Sequence, residues 1–372
     1  MALSALLDPP NRGAYSGDTQ PLPRPSREWV GERVVSALPW RRCVPSIESL
    51  VEAMVRGDTM SLARLISRVE KESPDAAAVL RLASPHAGKG YRIGFTGPPG
   101  SGKSTLVDQV TVALRRRDGA PAVGIIAVDP TSPFSGGALL GDRIRMEQHY
   151  QDEGVFIRSM GTRGGHGGLP NVAQRAATLL EASGKEYVLI ETVGVGQTEL
   201  DVMDAADTVV VVMVPEAGDS IQTMKAGLME IADIFVVNKS DREGADKLAQ
   251  EIEASLHLGA SATGWTVPVL NTEAHRGVGV QELMDAIDEH RRVSEESGEL
   301  HARRERRRSA QFFKTVEERM VAALHDLLTS DGDLRALVGR IEAGEIDPYT
   351  AALDVLGGRW LSHISFSGPG GG

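Results

Sequence analysis

The sequence predicts an α/β fold, a mostly parallel sheet flanked by helices, with helical N-terminal and C-terminal extensions. Three observations lead there. Seven short β-branched runs, "RIGFT", "AVGIIAVD", "GVFIRS", "YVLIE", "TVVVVMV", "IFVVNK" and "VPVL", alternate with helical stretches between residues 91 and 290. Their apolar character is continuous, the mark of strands covered on both faces. On either side of this region the chain shows helical periodicity without strands.

Taken in order, residues 1–42 read as a flexible tail, rich in Pro, Gly and Ser at its start and without periodicity. Its opening, "MALSALLDPPNRG", does not read as a secretory signal, because the apolar stretch is short, lacks a basic flank and breaks at Asp8-Pro9-Pro10. Residues 43–90 form a helical unit. Ser46 is placed to cap a helix with Ile47, Leu50, Val51, Met54 and Val55 on one face, and Leu62, Leu65, Ile66 and Val69 repeat the pattern. Residues 91–290 are the α/β domain. Residues 291–366 are helical again, with Phe312, Val316, Met320, Ala323 and Leu327 on one stripe. Residues 367–372, "SGPGGG", read as a flexible tail.

A net charge of −11 disfavours a nucleic acid or an anionic membrane as the main partner. The run "HARRERRR" (301–308) therefore reads as a solvated helix face or a contact to an acidic partner surface, with nucleic-acid binding the minority reading. The single cysteine, Cys43, excludes an intrachain disulfide and a cysteine-built metal site, and suits a reducing cytoplasm. The longest apolar run, "TVVVVMVP", is too short to span a bilayer.

The chemistry begins at "GFTGPPGSGKST". Gly97, Gly102, Lys103 and Ser104 match G-x-x-x-x-G-K-[ST] between a strand and a helix, so this is a P-loop NTPase. The loop Gly97, Pro98, Pro99, Gly100, Ser101, Gly102, Lys103, Ser104 and Thr105 would cradle phosphates with backbone N–H groups, aided by the helix N-terminus. Lys103 reaches the β- and γ-phosphates, and the Ser104 hydroxyl is a Mg²⁺ ligand. Asn238, Lys239 and Asp241 form "NKSD" at a strand end. The Asp241 carboxylate would accept from the guanine N1–H and exocyclic amine, while Asn238 and Lys239 brace the loop. Adenine lacks that donor pair, so GTP is favoured over ATP by at least about tenfold.

Glu191 ends the strand "YVLIE" where such enzymes place a carboxylate near the metal. It either reaches Mg²⁺ through water, or orients or activates water. Gly194 stands where a D-x-x-G glycine offers its N–H to the γ-phosphate. "VDPTSPFSGGALLGDRIRM" adds Asp129 and Asp142, read either as metal carboxylates or, in turn, as a turn before Pro130 and a helix cap. This segment has the make-up of a γ-phosphate switch. "MGTRGGHGGLP" (160–170) is a lid or a second phosphate-facing loop; His166 lacks a spaced partner for metal binding. Gln197 is a candidate to position water, but nothing marks it out, so slow intrinsic turnover is expected.

Together, "GPPGSGKST", "VDPTSPFSGGALLGDRIRM", "RGGHGGL", "ETVGVGQTELD" and "NKSD" resemble the methylmalonyl-CoA mutase-associated GTPases, once described as arginine/ornithine-transport ATPases or kinases. The resemblance spans about residues 43 to 357 and includes "GEIDPYTAALDVL". It implies a GTP-binding and GTP-hydrolysing chaperone of an adenosylcobalamin-dependent methylmalonyl-CoA mutase, gating cofactor loading and protecting or reactivating that enzyme. It also implies a homodimer with the C-terminal extension contributing. The family's magnesium-associated carboxylates fall on Asp129, Asp142 and Glu191, and its guanine-reading residues on Asn238, Lys239 and Asp241. One departure is "LNTEAHRGVG", where a Ser-Ala-type guanine loop is usual; the Ala274 N–H is the candidate donor to the guanine oxygen. The competing readings are a nickel-delivery GTPase, disfavoured by nine scattered His and one Cys, a small-molecule kinase, disfavoured by "NKSD", and a scaffold that binds GTP without hydrolysing it.

Overall fold

The computed structural model describes residues 45–129, 146–161, 168–192, 204–215, 228–256 and 264–357. The first helices are α1 (Ile47–Val55), α2 (Thr59–Glu70) and α3 (Ala76–Ala83). Ser46 Oγ accepts the Ser49 N–H at 3.2 Å, and Asp58 Oδ2 accepts the Ser61 N–H at 2.9 Å. Each cap satisfies an N–H that the helix leaves unpaired and contributes about 1 kcal/mol. The predicted faces, Leu50, Val51 and Met54 on α1 and Leu62, Leu65, Ile66 and Val69 on α2, are buried.

The α/β part then runs β1 (Tyr91–Thr96), α4 (Lys103–Arg115), β2 (Val123–Asp129), β3 (Val155–Gly161), α5 (Gly168–Ala182), β4 (Tyr187–Glu191), β5 (Thr208–Met213), α6 (Leu228–Ile231), β6 (Ile234–Asn238), α7 (Ala245–Leu256) and β7 (Val269–Thr272). The strands form one parallel sheet in the order β3-β2-β4-β1-β5-β6-β7. Its two faces explain the continuous apolar runs. On β5, Val209, Val211 and Met213 belong to the core shared with α1 to α3, α5 and α7, whereas Val210 and Val212 belong to the core shared with α4 and α8 (Val280–Glu296). Six runs match their strands closely. The seventh, "VPVL", gives only its last two residues to β7, which continues through Asn271 to Thr272 because Asn238 pairs with Thr272 in register.

Strand order reverses at β1, between β4 and β5, and such a reversal opens a crevice beyond the strand C-termini. Thr96, Glu191, Asn238 and Thr272 all end their strands at that edge.

At the opposite edge the basic run finds its partners in its own chain. It lies on α9 (Glu299–Ser330), the longest helix among the described residues, followed by α10 (Gly332–Glu342) and α11 (Pro348–Gly357). Arg304 meets buried Asp207 at 2.7 Å and 3.1 Å, Arg307 meets the same carboxylate at 3.1 Å, and Arg303 grips Asp233 at 2.7 Å and 2.9 Å. Asp207 and Asp233 immediately precede β5 and β6, so these arginines bolt α9 across the sheet. Neither a solvated face nor a partner's acidic surface describes these three, because their carboxylates, Asp207 and Asp233, belong to the same chain. Further along α9, Phe312, Val316 and Met320 are 63%, 38% and 44% exposed. Among the described residues no helix is long and apolar enough to cross a membrane.

Candidate active site

The loop leaving β1 requires glycine where it turns. Gly97 has φ 134°, and a Cβ there would lie 2.0 Å from the Val212 carbonyl oxygen on β5. Gly102, at φ 89°, opens α4; a Cβ would come within 2.3 Å of Asn238 Nδ2. Neither space nor backbone conformation admits a larger residue. Between them Ser101 N–H donates to the Pro98 carbonyl at 3.2 Å. Pro99 and Gly100 are exposed, and Thr105 is half-buried on the first turn of α4. Lys103 folds back over the loop, its Nζ donating to the carbonyls of Gly97 at 2.8 Å and Pro98 at 3.0 Å. The ammonium therefore sits at the mouth of the loop, beside the positive end of α4.

Ser104 and Glu191 meet next to it. The Ser104 hydroxyl donates to Glu191 Oε1 at 2.6 Å, with both residues buried. The sheet places the pair: Glu191 is in register with Phe95 of β1 and Ala127 of β2. Thr192 closes the same end, its N–H donating to the Phe95 carbonyl at 3.0 Å and its hydroxyl to Thr96 Oγ1 at 3.1 Å. Glu191 is thus a buried carboxylate facing the phosphate loop. β2 ends on Asp129, whose side chain lies outside the described residues, as do Asp142, His166, Gly194 and Gln197.

The third part is the base side. Asn238 is 3% exposed and makes three hydrogen bonds: Nδ2 donates to the Ser101 carbonyl at 2.8 Å, while Oδ1 accepts from Ala274 N–H at 3.0 Å and Thr272 Oγ1 at 3.1 Å. Lys239 adopts a left-handed φ of 59°, and Arg242 N–H returns to its carbonyl at 3.0 Å. This turn holds Asp241 exposed at its tip. The Ala274 N–H, the candidate donor to the guanine oxygen, donates to Asn238 Oδ1, and Ala274 is 1% exposed. Sequence reasoning also missed Thr96, Thr192 and Thr272, whose hydroxyls tie strand ends together. Their only signal was a Thr at or next to the end of an apolar run.

A family model described as "Methylmalonyl Co-A mutase-associated GTPase MeaB" matches residues 62–327. The chain belongs to the MeaB family. Relatives agree. A protein of Pyrococcus abyssi, provisionally named a GTPase, is 47% identical over 313 residues, covering 83% of this chain and 96% of its own. The methylmalonic aciduria type A homolog, mitochondrial, of Mus musculus is 30% identical, covering 82% of this chain and 78% of its own. The crystal structure of a LAO/AO transport system kinase aligns with a TM-score of 0.62 at 26% identity, covering 84% of this chain and 96% of its own.

As a MeaB-family member the chain is a GTPase that binds GTP and GDP. The Ser104 hydroxyl and Glu191 carboxylate make an all-oxygen donor pair, which fits a hard cation such as Mg²⁺. Among the described residues no group of three or more His, Cys, Asp or Glu could hold a metal alone.

Proposed function

We propose that this GTPase is a chaperone of an adenosylcobalamin-dependent methylmalonyl-CoA mutase, gating cofactor loading and protecting or reactivating that enzyme. The observation that carries this reading is the family match over residues 62–327, whose description names the mutase. The name of the mouse relative points the same way.

In the proposed site, Lys103 exchanges the Gly97 and Pro98 carbonyls for the β- and γ-phosphates of GTP. The loop from Gly97 to Thr105 supplies backbone donors, and Asn238, Lys239 and Asp241 select guanine. Ser104 and Glu191 are the described residues that would hold Mg²⁺, with Asp129, Asp142 and Gly194 assigned beside them from sequence alone. When bound, Mg²⁺ would neutralise charge on the transferring phosphoryl group. Lys103 orients the γ-phosphate, and the buried Glu191 carboxylate holds the Ser104 hydroxyl in place by accepting from it at Oε1. Intrinsic turnover is slow in this reading, and the mutase speeds it.

The chain works as a cytoplasmic homodimer in this reading. The exposed stripe of Phe312, Val316 and Met320 on α9 supports it, since apolar side chains lined along a helix gain by being covered.

Single-turnover GTP hydrolysis with and without a methylmalonyl-CoA mutase tests the proposal, together with pull-downs in GDP and in a non-hydrolysable GTP analogue. Faster turnover and nucleotide-dependent capture are expected. Equal rates and no capture reject the chaperone role.

A further inference from the structure

Asp108 is a buried carboxylate on α4 that the phosphate chemistry leaves unused. It lies one helical turn beyond Ser104, and both are buried, at 8% and 7% exposure. Its Oδ2 accepts from Gln148 Nε2 at 2.5 Å, and its Oδ1 stands 3.1 Å from His149 Nε2, a close approach of two buried polar atoms without hydrogen-bond geometry. His149 is itself only 6% exposed.

Two further contacts join the same segments. Met146 is fully buried in the core around α4 and α8. Arg115, on the last turn of α4, meets Asp152 with paired hydrogen bonds of 2.7 Å and 2.8 Å. The residues leading into β3 are therefore tied along most of the length of α4. Burying a carboxylate beside an imidazole is a poor source of stability, because desolvation offsets much of the attraction. What such a pair supplies is a defined placement of one element against another.

That placement matters at Ser104. Glu191 is held by the sheet, whereas Ser104 is carried by α4, so their 2.6 Å contact depends on the rotation and height of the helix. A shift of α4 that released Asp108 would also move Ser104, one turn away on the same side.

We propose that Asp108 and His149 are positioning residues for GTP hydrolysis, setting Ser104 against Glu191 by anchoring α4 to the chain that enters β3. The inference rests on the reading of Ser104 and Glu191 as the metal-side pair.

The test uses the full chain and the variants D108N, H149Q, the double variant and Q148A. Single-turnover GTP hydrolysis is followed across a Mg²⁺ titration, with GDP affinity measured alongside. D108N and H149Q are expected to lower the hydrolysis rate by about tenfold and to raise the Mg²⁺ concentration needed, with GDP affinity changed by less than about twofold. The double variant is expected to be no slower than the worse single variant, because the two residues act as a unit. Unchanged hydrolysis and Mg²⁺ dependence would overturn the inference. So would loss of GDP affinity in step with hydrolysis, which is the signature of a merely structural pair. If the buried variants do not fold, Q148A decides, since Gln148 is exposed and its loss weakens only the grip on Asp108. A smaller shift in Mg²⁺ dependence supports positioning; no shift overturns it. A wild-type chain without Mg²⁺-dependent hydrolysis would instead overturn the reading of the metal-side pair.

Discussion

Asn238 Nδ2 donates to the Ser101 carbonyl at 2.8 Å, which makes the phosphate loop and the end of β6 one mechanical unit. The other end of the amide accepts from Ala274 N–H and Thr272 Oγ1, so a single side chain also locks the end of β7. Asn238→Ala would leave a buried carbonyl, a buried N–H and a buried hydroxyl without this partner. Each such loss costs about 1–3 kcal/mol. GDP and GTP affinity should fall together by at least about tenfold. Isothermal titration with both nucleotides checks this, and near-normal affinity for either would count against the clamp.

Gly97 bears on the same unit from β5. Because a Cβ would lie 2.0 Å from the Val212 carbonyl oxygen, Gly97→Ala must displace either the loop or the strand. Lost nucleotide binding and a lowered melting temperature are expected. A variant that bound GDP normally would show that the loop relaxes more freely than its packing implies.

Glu191→Gln keeps the shape and removes the charge. Ser104 can still donate to the side-chain oxygen, so GDP binding should persist. Hydrolysis should drop by about 100-fold or more, with weaker Mg²⁺ dependence. Measuring phosphate release against Mg²⁺ concentration separates the two effects. Wild-type hydrolysis in this variant would remove Glu191 from the site.

The arginine clamp predicts acid sensitivity. Burial alone would raise the Asp233 carboxyl, but hydrogen bonds from His290 and Arg303 and the Arg303 charge overcome it and hold it at about 2. A folded value below the ordinary 3.8 means that the folded state favours the ionised form. The resulting stabilisation, about 2 kcal/mol, is present above about pH 5 and is lost as the pH falls towards 2. Denaturant unfolding of wild type and Asp233→Asn should therefore differ more at neutral pH than under acid. A constant difference would contradict the assignment. Asp207→Ala, which strands Arg304 and Arg307, should cost about 3–5 kcal/mol near neutrality.

The proposed dimer face gives a last prediction. Phe312→Asp with Met320→Asp places two charges on the exposed stripe of α9 and should shift the chain from dimer to monomer in light scattering. An unchanged mass would place any dimer contact elsewhere.

The sequence by itself determined the phosphate loop, because its glycines, Lys103 and Ser104 act through local backbone geometry that nine consecutive residues define. It determined the sheet too, since strands covered on both faces need unbroken apolar runs. Helix faces such as Leu62, Leu65, Ile66 and Val69 followed from their spacing. Only the tertiary structure decided which residues meet across the chain. Asn238 and Ser101 are 137 residues apart, and no periodicity links them. The "HARRERRR" run shows the same limit. Its charge was plain, but Asp207 and Asp233 pair with Arg303, Arg304 and Arg307 only because parallel strands put their N-terminal ends side by side under α9. Likewise the bond from the Ala274 N–H to Asn238 Oδ1 joins the ends of two strands that no local pattern links. Local pattern specifies which elements form and which face each one buries; the partner of a given polar group is set by the register and packing of the whole sheet.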